Sequence, residues 1–323
     1  PDAIVASLDG NGASADLITY WIGYNATYLN SYMQHYGGGA LDWDYTMSDG
    51  TAMPDYIKQD VLATVKQELL IENLASKYGV TLTDEQRAAI ESDEQNFITQ
   101  YGSEEAFDEE LAKLGLRRET YERITATNYL YQNLYKLYLT EGSALYASDE
   151  DLAAYAAAQN YITADHILLT TVDTATGEAL SDETIAEKKA LAEELAEKLK
   201  NYTGDDLASY FAELADEYSE DPGRASYPTG YTFTTGSMVK EFEDAAYALD
   251  EGAVSDIVES SFGYHILLRL PLDKAAAAES VREAYFTNFI DEQLEKVTLA
   301  TSEQFDALDA QALYEAITAA QAK

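Results

Sequence analysis

Along most of this chain apolar residues recur at spacings of three and four, the mark of helices that bury one face. Over 60–78, Val61, Leu62, Val65, Leu69 and Leu74 share such a face, and Gly79 supplies a stop. Thr83-Asp84-Glu85-Gln86 has the form of a capping box and opens another helix. Further helices are predicted over 103–114 and 118–140, the second carrying Tyr121, Ile124, Leu130, Leu134, Leu137 and Tyr138, and Ser148-Asp149-Glu150-Asp151 begins one more. After Leu270-Pro271 the helical pattern returns over 275–299 and again over 302–320. Near the start, Ile4 to Leu8 read as a short strand ended by an Asp9-Gly10-Asn11-Gly12 turn, after which Ser14 caps a helix. That helix carries Tyr20, Tyr24, Tyr28, Tyr32 and Tyr36. A strict spacing of four advances about 40° per step against the 3.6-residue period, so the ridge spirals around the helix. Two uses stay open for it: packing between helices, or partial exposure for binding, where tyrosine offers broad contact with a polar tip. Gly37-Gly38-Gly39 and the polar stretch to Gly50 form a loop, with His35 just ahead of it read as structural or exposed.

Two runs break the helical rhythm. Ala164-Asp165-His166-Ile167-Leu168-Leu169 and Phe262-Gly263-Tyr264-His265-Ile266-Leu267-Leu268 are continuously apolar and strand-like, yet each contains one of the three histidines in the chain. An imidazole taken out of water needs a hydrogen-bond partner. The two strands are therefore expected side by side in one sheet with their histidines facing each other.

Composition narrows the picture. The 323 residues suffice for two domains, each with its own core, and a hydrophobic content of 46% argues against disorder. The net charge of −39 is spread along the chain: residues 161–272 hold 7 Lys+Arg against 23 Asp+Glu, and the remainder 13 against 36. Such a polyanion repels phosphate backbones and anionic headgroups, which excludes a nucleic-acid binder, and it favours solubility and, more weakly, basic or neutral unfolded clients. With no cysteine there is no disulfide framework, thiolate nucleophile or sulfur-based metal site. No apolar run is long enough to span a bilayer.

Between the two histidines lies an ordered series of short motifs: Tyr218-Ser219-Glu220-Asp221, Tyr231-Thr232-Phe233, Gly236-Ser237-Met238 through Phe242 to Leu249, and Gly252-Ala253-Val254-Ser255-Asp256-Ile257-Val258. Over 161–272 this resembles the parvulin family of peptidyl-prolyl cis-trans isomerases, and with its helical flanks the whole chain resembles an exported foldase of the PrsA or SurA type. The resemblance implies an α+β fold: a parvulin-like α/β domain over 159–272, with a small antiparallel sheet, inserted in a mostly helical chaperone domain built from 1–158 and 273–323. It also implies that unfolded or partly folded secreted polypeptides with X-Pro bonds are the partners, that no cofactor or metal is needed, and that the protein acts outside the cell membrane. Foldases of this type are typically lipoproteins. Because the chain begins at Pro1, an export signal or lipid-anchored segment is expected upstream of it.

Residue by residue, the resemblance makes His166 and His265 the central imidazole pair in a shared hydrogen-bond network. It puts Asp221 where the family has Cys or Asp, and Ser260 where a Thr or Ser bonds a histidine. Met238 and Phe242, four apart on one helical face, become the floor and wall of a proline pocket, with Phe233 and Phe262 also in substrate binding. Without the resemblance, Met238 and Phe242 read equally as core packing, Asp221 as a turn residue and Ser260 as a loop serine. Two stretches depart from the family pattern. Its Gly-Gly-Asp-Leu-Gly loop is replaced by Ala225-Ser226-Tyr227-Pro228-Thr229-Gly230, with the segment after it one residue longer, and the basic cluster of phosphate-specific members is replaced by Val172-Asp173-Thr174-Ala175-Thr176-Gly177-Glu178, which would repel phosphate. The altered loop keeps a second reading in play, a catalytically silent scaffold that only binds unfolded clients.

Overall fold

The computed structural model describes residues 2–35, 39–173 and 176–322. Pro1, Tyr36, Gly37, Gly38, Thr174, Ala175 and Lys323 lie outside the described residues, and with them the last tyrosine of the ridge, two glycines of the first loop and the middle of the 172–178 loop. In chain order the elements are β1 (Ile4–Leu8), β2 (Asn11–Ser14), α1 (Ala15–His35), α2 (Met53–Tyr78), α3 (Asp84–Tyr101), α4 (Glu104–Lys113), α5 (Arg118–Leu139), α6 (Asp149–Ala158), β3 (Ile162–Thr170), α7 (Asp182–Lys200), α8 (Leu207–Tyr218), β4 (Tyr231–Phe233), α9 (Lys240–Ala248), β5 (Val258–Glu259), β6 (Gly263–Leu270), α10 (Lys274–Lys296), β7 (Ala300–Thr301), α11 (Glu303–Asp306) and α12 (Ala310–Gln321). The chain divides into two compact units, one of residues 1–146 and 287–323, the other of residues 147–286.

In the first unit, α1, α2, α5 and α12 bury Leu17, Ile18, Ile22, Ile57, Val61, Val65, Leu69, Leu134 and Ile317. Its sheet has the order β2-β1-β7. Local chemistry explains where this differs from the sequence pattern. Asn11 and Gly12 belong to a strand because Asp9 and Gly10 alone, with φ of 50° and 86°, form the hairpin turn. Pro54 in its first turn lets α2 start at Met53, well ahead of the predicted start at 60. The helix expected to reach 299 stops at Lys296 because Ala300 and Thr301 pair with Ser7 and Ala6 of β1, and the helix expected over 302–320 is cut in two, with Asp309 capping α12. Tyr24, Tyr28 and Tyr32 are exposed at 53%, 66% and 52%, while Tyr20 turns toward Phe107, Leu111 and Leu116. His35 is exposed.

The second unit is built on an antiparallel sheet of order β4-β3-β6-β5. All nine residues of β3 are buried, which is why the strand reads as a continuous apolar run and not as an alternation. One face of the sheet, with Ile167, Leu169, Ile266 and Leu268, packs on α7 and α8 through Leu195 and Phe211. The opposite face, with Ile162, Ala164 and Leu267, packs on Phe233, Phe242 and Ala246. The unit reaches beyond the predicted 159–272 at both ends because α6 and the start of α10 belong to it: the Tyr155 and Tyr285 rings pack in a tilted pair at 4.9 Å and Arg282 pairs with Asp149 at 3.3 Å.

Candidate functional site

Strands β3 and β6 run side by side with His166 opposite Leu267 and His265 opposite Leu168. The two histidines are thus diagonal neighbours on one face. Their rings are 5.4 Å apart and tilted by 49°, and no hydrogen bond joins them; the expected shared network divides in two because the diagonal offset turns each Nε2 to its own partner. Ser260 Oγ lies 2.7 Å from His265 Nε2 and also accepts the Phe262 N–H at 3.1 Å, fixing the β5–β6 turn. His166 Nε2 lies 3.8 Å from Asp221 Oδ2. The Nδ1 atoms of both histidines are buried with no partner among the described residues. Burial holds both imidazoles neutral, lowering His166 to about 4, with the Asp221 carboxylate opposing, and His265 to about 4, with His166 adding to the effect.

Asp221 is held by a loop that the sequence reading only partly anticipates. Ser219 and Glu220 prolong the edge pairing of β3: Leu168 N–H donates to Ser219 Oγ at 3.1 Å, Glu220 N–H donates to the Leu168 carbonyl at 2.7 Å, and Glu220 accepts from Thr170 N–H at 2.8 Å. Asp221 Oδ1 accepts the Gly223 N–H at 3.0 Å and Oδ2 accepts the Tyr231 hydroxyl at 2.6 Å. A Cβ on Gly223 would sit 1.8 Å from that hydroxyl, so only glycine leaves Tyr231 its path to Asp221. Burial and the Asp221 carboxylate together push the Tyr231 hydroxyl well above its ordinary range, so it remains a donor at any working pH. The Tyr231 ring stacks beside His166 at 5.7 Å and meets the Tyr227 ring at a tilt at 4.7 Å, with Tyr227 52% exposed. The loop is pinned from beneath by Arg224, which pairs with buried Asp165 at 2.5 Å and with Asp216 of α8 at 2.8 Å.

Neither Arg224 nor Tyr231 was assigned a role from sequence. The available signal was Asp165, an acid inside a buried strand, which demands a cation, in a stretch with only seven Lys and Arg.

Of the residues expected to hold substrate, Phe242 projects from α9 with its ring edge-on to both histidines, 5.1 Å from His166 and 5.6 Å from His265. Phe233 lies 5.7 Å from Phe242; both are 3% exposed, so they form the base of the site, and Met238 is half-buried beside them. Phe262 stands apart, 49% exposed at the sheet end, where its carbonyl accepts the Thr171 N–H at 3.0 Å. Ser260, His265, His166, Asp221, Phe242, Phe233 and Met238 therefore gather on one face of the sheet, with Phe262 at its rim. Among the described residues no cluster of His, Asp and Glu could hold a metal ion, and no helix is long and apolar enough to cross a membrane.

The family model "Rotamase: PPIC-type PPIASE domain" matches residues 166–270. The chain is 52% identical over 77 residues to the foldase protein PrsA 4 of Bacillus cereus, a match that spans 24% of this chain and 25% of that relative's length. It is 27% identical over 256 residues to the foldase protein PrsA of Staphylococcus aureus, covering 78% of this chain and 71% of that protein. Among solved structures, the peptidylprolyl isomerase PrsA from Bacillus anthracis aligns with a TM-score of 0.26 and 23% identity, over 80% of this chain and 95% of that one. Residues 166–270 thus match a PPIC-type peptidyl-prolyl isomerase domain, and over most of its length the chain is similar in sequence to the PrsA foldase of Staphylococcus aureus.

Proposed function

We propose that the protein is an exported foldase that accelerates cis-trans isomerisation of X-Pro bonds in unfolded or partly folded secreted polypeptides. The observation that carries this reading is the convergence on one sheet face of a neutral histidine pair, a carboxylate and the Phe242 ring. Rotation about an X-Pro bond faces a barrier of about 20 kcal/mol and needs no nucleophile or net proton transfer. The twisted amide has lost its resonance, so its ring and its charge distribution differ from both planar forms. Met238 and Phe242, with Phe233 beneath them, grip the proline ring in an apolar, water-poor place, and Phe262 flanks the substrate at the exposed rim. His166, Asp221, Ser260 and His265 fix the polar surroundings that favour the twisted carbonyl over the planar one. Neutral imidazoles suit this task because they can donate or accept without a buried net charge. The acidic 172–178 loop opposes a phosphorylated residue before proline.

A silent scaffold remains the second reading, favoured by the replaced 225–230 loop with Tyr227 packed against Tyr231. A protease-coupled assay on short X-Pro peptides separates them: catalysis above the spontaneous rate supports the isomerase, and its absence on every X-Pro peptide alongside suppression of client aggregation leaves the scaffold. Recovery of the protein in the exported fraction of its cell tests the location.

A further inference from the structure

In the first unit, helices α1, α2 and α5 border a cleft of about 350 Å³ whose wall includes Trp21, Ile71, Ile124 and Tyr131 and whose polar lining holds Glu68 as its one charged group among neutral Thr, Gln and Asn side chains. Glu68 and Glu72 lie one turn apart on the same face of α2, yet their surroundings differ. Glu72 receives Arg123 in a fork at 2.8 and 2.7 Å, Asn11 Nδ2 at 2.7 Å and Thr127 Oγ1 at 2.9 Å. Arg123 spends its remaining donors on the Gly12 carbonyl at 2.7 Å and on Asn11 Oδ1 at 3.2 Å. Glu68 keeps a single described hydrogen bond, from the Trp21 indole N–H at 3.2 Å, and among the described residues no Lys or Arg comes within ion-pair distance of it. Burial raises its carboxyl to about 7, with the Trp21 hydrogen bond and Arg123 opposing and Glu72 reinforcing.

A carboxyl left without a cation beside aromatic and aliphatic walls fits a ligand that brings both a cation and an apolar stem. Trp21 packs edge-on against Tyr24 at 5.4 Å, and Tyr24 leads to the exposed Tyr28 and Tyr32, so the cleft opens beside an aromatic strip on α1. We propose that this cleft is a binding site for a lysine or arginine side chain of an unfolded polypeptide. The aliphatic stem lies against Trp21, Ile71 and Ile124, the charged head meets Glu68, and neighbouring apolar residues of the same polypeptide lie along the tyrosines. The net charge of −39 brings basic segments to the surface, and the cleft then selects the side chain. The proposal rests on the reading that the protein handles unfolded chains, but not on isomerisation.

The test uses the full chain and fluorescein-labelled, proline-free peptides with one central lysine, or norleucine in its place, flanked by tyrosine and leucine, read by anisotropy. The lysine peptide is expected to bind roughly ten-fold more tightly than the norleucine peptide. Glu68→Gln, which still accepts the indole N–H, should erase that ten-fold difference and leave kcat/KM on a short X-Pro peptide unchanged. Asn128→Lys, at an exposed position lining the same cleft, should supply a cation from within and block the lysine peptide, so the proposal stays testable if Glu68→Gln fails to fold. Equal affinity for the two peptides, lysine preference that survives Glu68→Gln, or unchanged lysine binding in Asn128→Lys would each overturn it, as would a preference of the unsubstituted protein that vanishes entirely in moderate salt. Lysine-selective binding without isomerisation would remove the isomerase reading and leave this site standing.

Discussion

Replacing Arg224 by methionine isolates what holds the Asp221 loop to the sheet. The Asp165 side chain is 6% exposed and its Arg224 partner 13% exposed, whereas Asp216, the other carboxylate on Arg224, is 69% exposed and returns to water at no cost. Arg224→Met leaves Asp165 as a buried charge with, among the described residues, only the His166 N–H, at 2.8 Å, to support it. Breaking such a pair typically costs about 3–5 kcal/mol. An independent ceiling follows from protonation: keeping an ordinary aspartic acid neutral at pH 7 costs about 1.36 kcal/mol for each of roughly three pH units, or about 4 kcal/mol. The two figures agree, so a loss of about 3–4 kcal/mol is expected in the second unit. The sign with pH is fixed as well. Burial already raises the Asp165 carboxyl against the opposing Arg224, and removing Arg224 raises it further, so the added penalty is absent below the unfolded value near 4 and grows as pH rises above it. Both tryptophans, Trp21 and Trp43, lie in the first unit, so their fluorescence does not report on the sheet domain. Hydrogen exchange of the β3 and β6 amides in the full chain does, and a loss of this size appears as a protection drop of roughly 150- to 900-fold. A drop of less than about ten-fold at pH 7, or a deficit undiminished at pH 4, would refute the reasoning. Asp165→Asn with Arg224→Met should recover most of the loss.

Phe242→Ala or Met238→Ala should lower kcat/KM on X-Pro peptides by roughly 10- to 100-fold, or about 1.4–3 kcal/mol of transition-state binding, with Met238→Ala the cleaner measurement because Phe242 also supports the core. Both histidines are lowered to about 4 from an ordinary 6.5, so activity should stay flat from neutral pH to about 5.5. The unfolded chain takes up protons that the folded histidines refuse, so stability falls as pH drops from 6.5 toward 4, by up to about 3 kcal/mol per histidine; acid titration of β6 amide protection checks this. Tyr231→Phe removes the 2.6 Å bond to Asp221 without emptying the ring position, and should cost about 1.5–3 kcal/mol in stability and several-fold in kcat/KM; unchanged values for both would show that Asp221 positions itself.

The helices of this chain were readable from sequence because their determinants are local: the Thr83 and Ser148 capping boxes and the apolar face of 60–78 act within a turn or two. The histidine strands were readable because two imidazoles in apolar runs make sense only if the runs meet. Other contacts between distant segments were not readable. Ala300 and Thr301 become a strand only because β1 presents a free edge, and no residue near them signals that pairing. The diagonal register of β3 and β6, which gives each histidine its own partner in place of a shared hydrogen bond, is likewise set by the pairing of whole strands. Arg224 reads as a turn cation until the fold buries Asp165 beneath it, and Tyr231 reads as a strand aromatic until Gly223 leaves a path to Asp221. The sequence determined which residue types the site contains; the tertiary structure decided which atoms face each other, because burial and register follow from the packing of segments far apart in the chain.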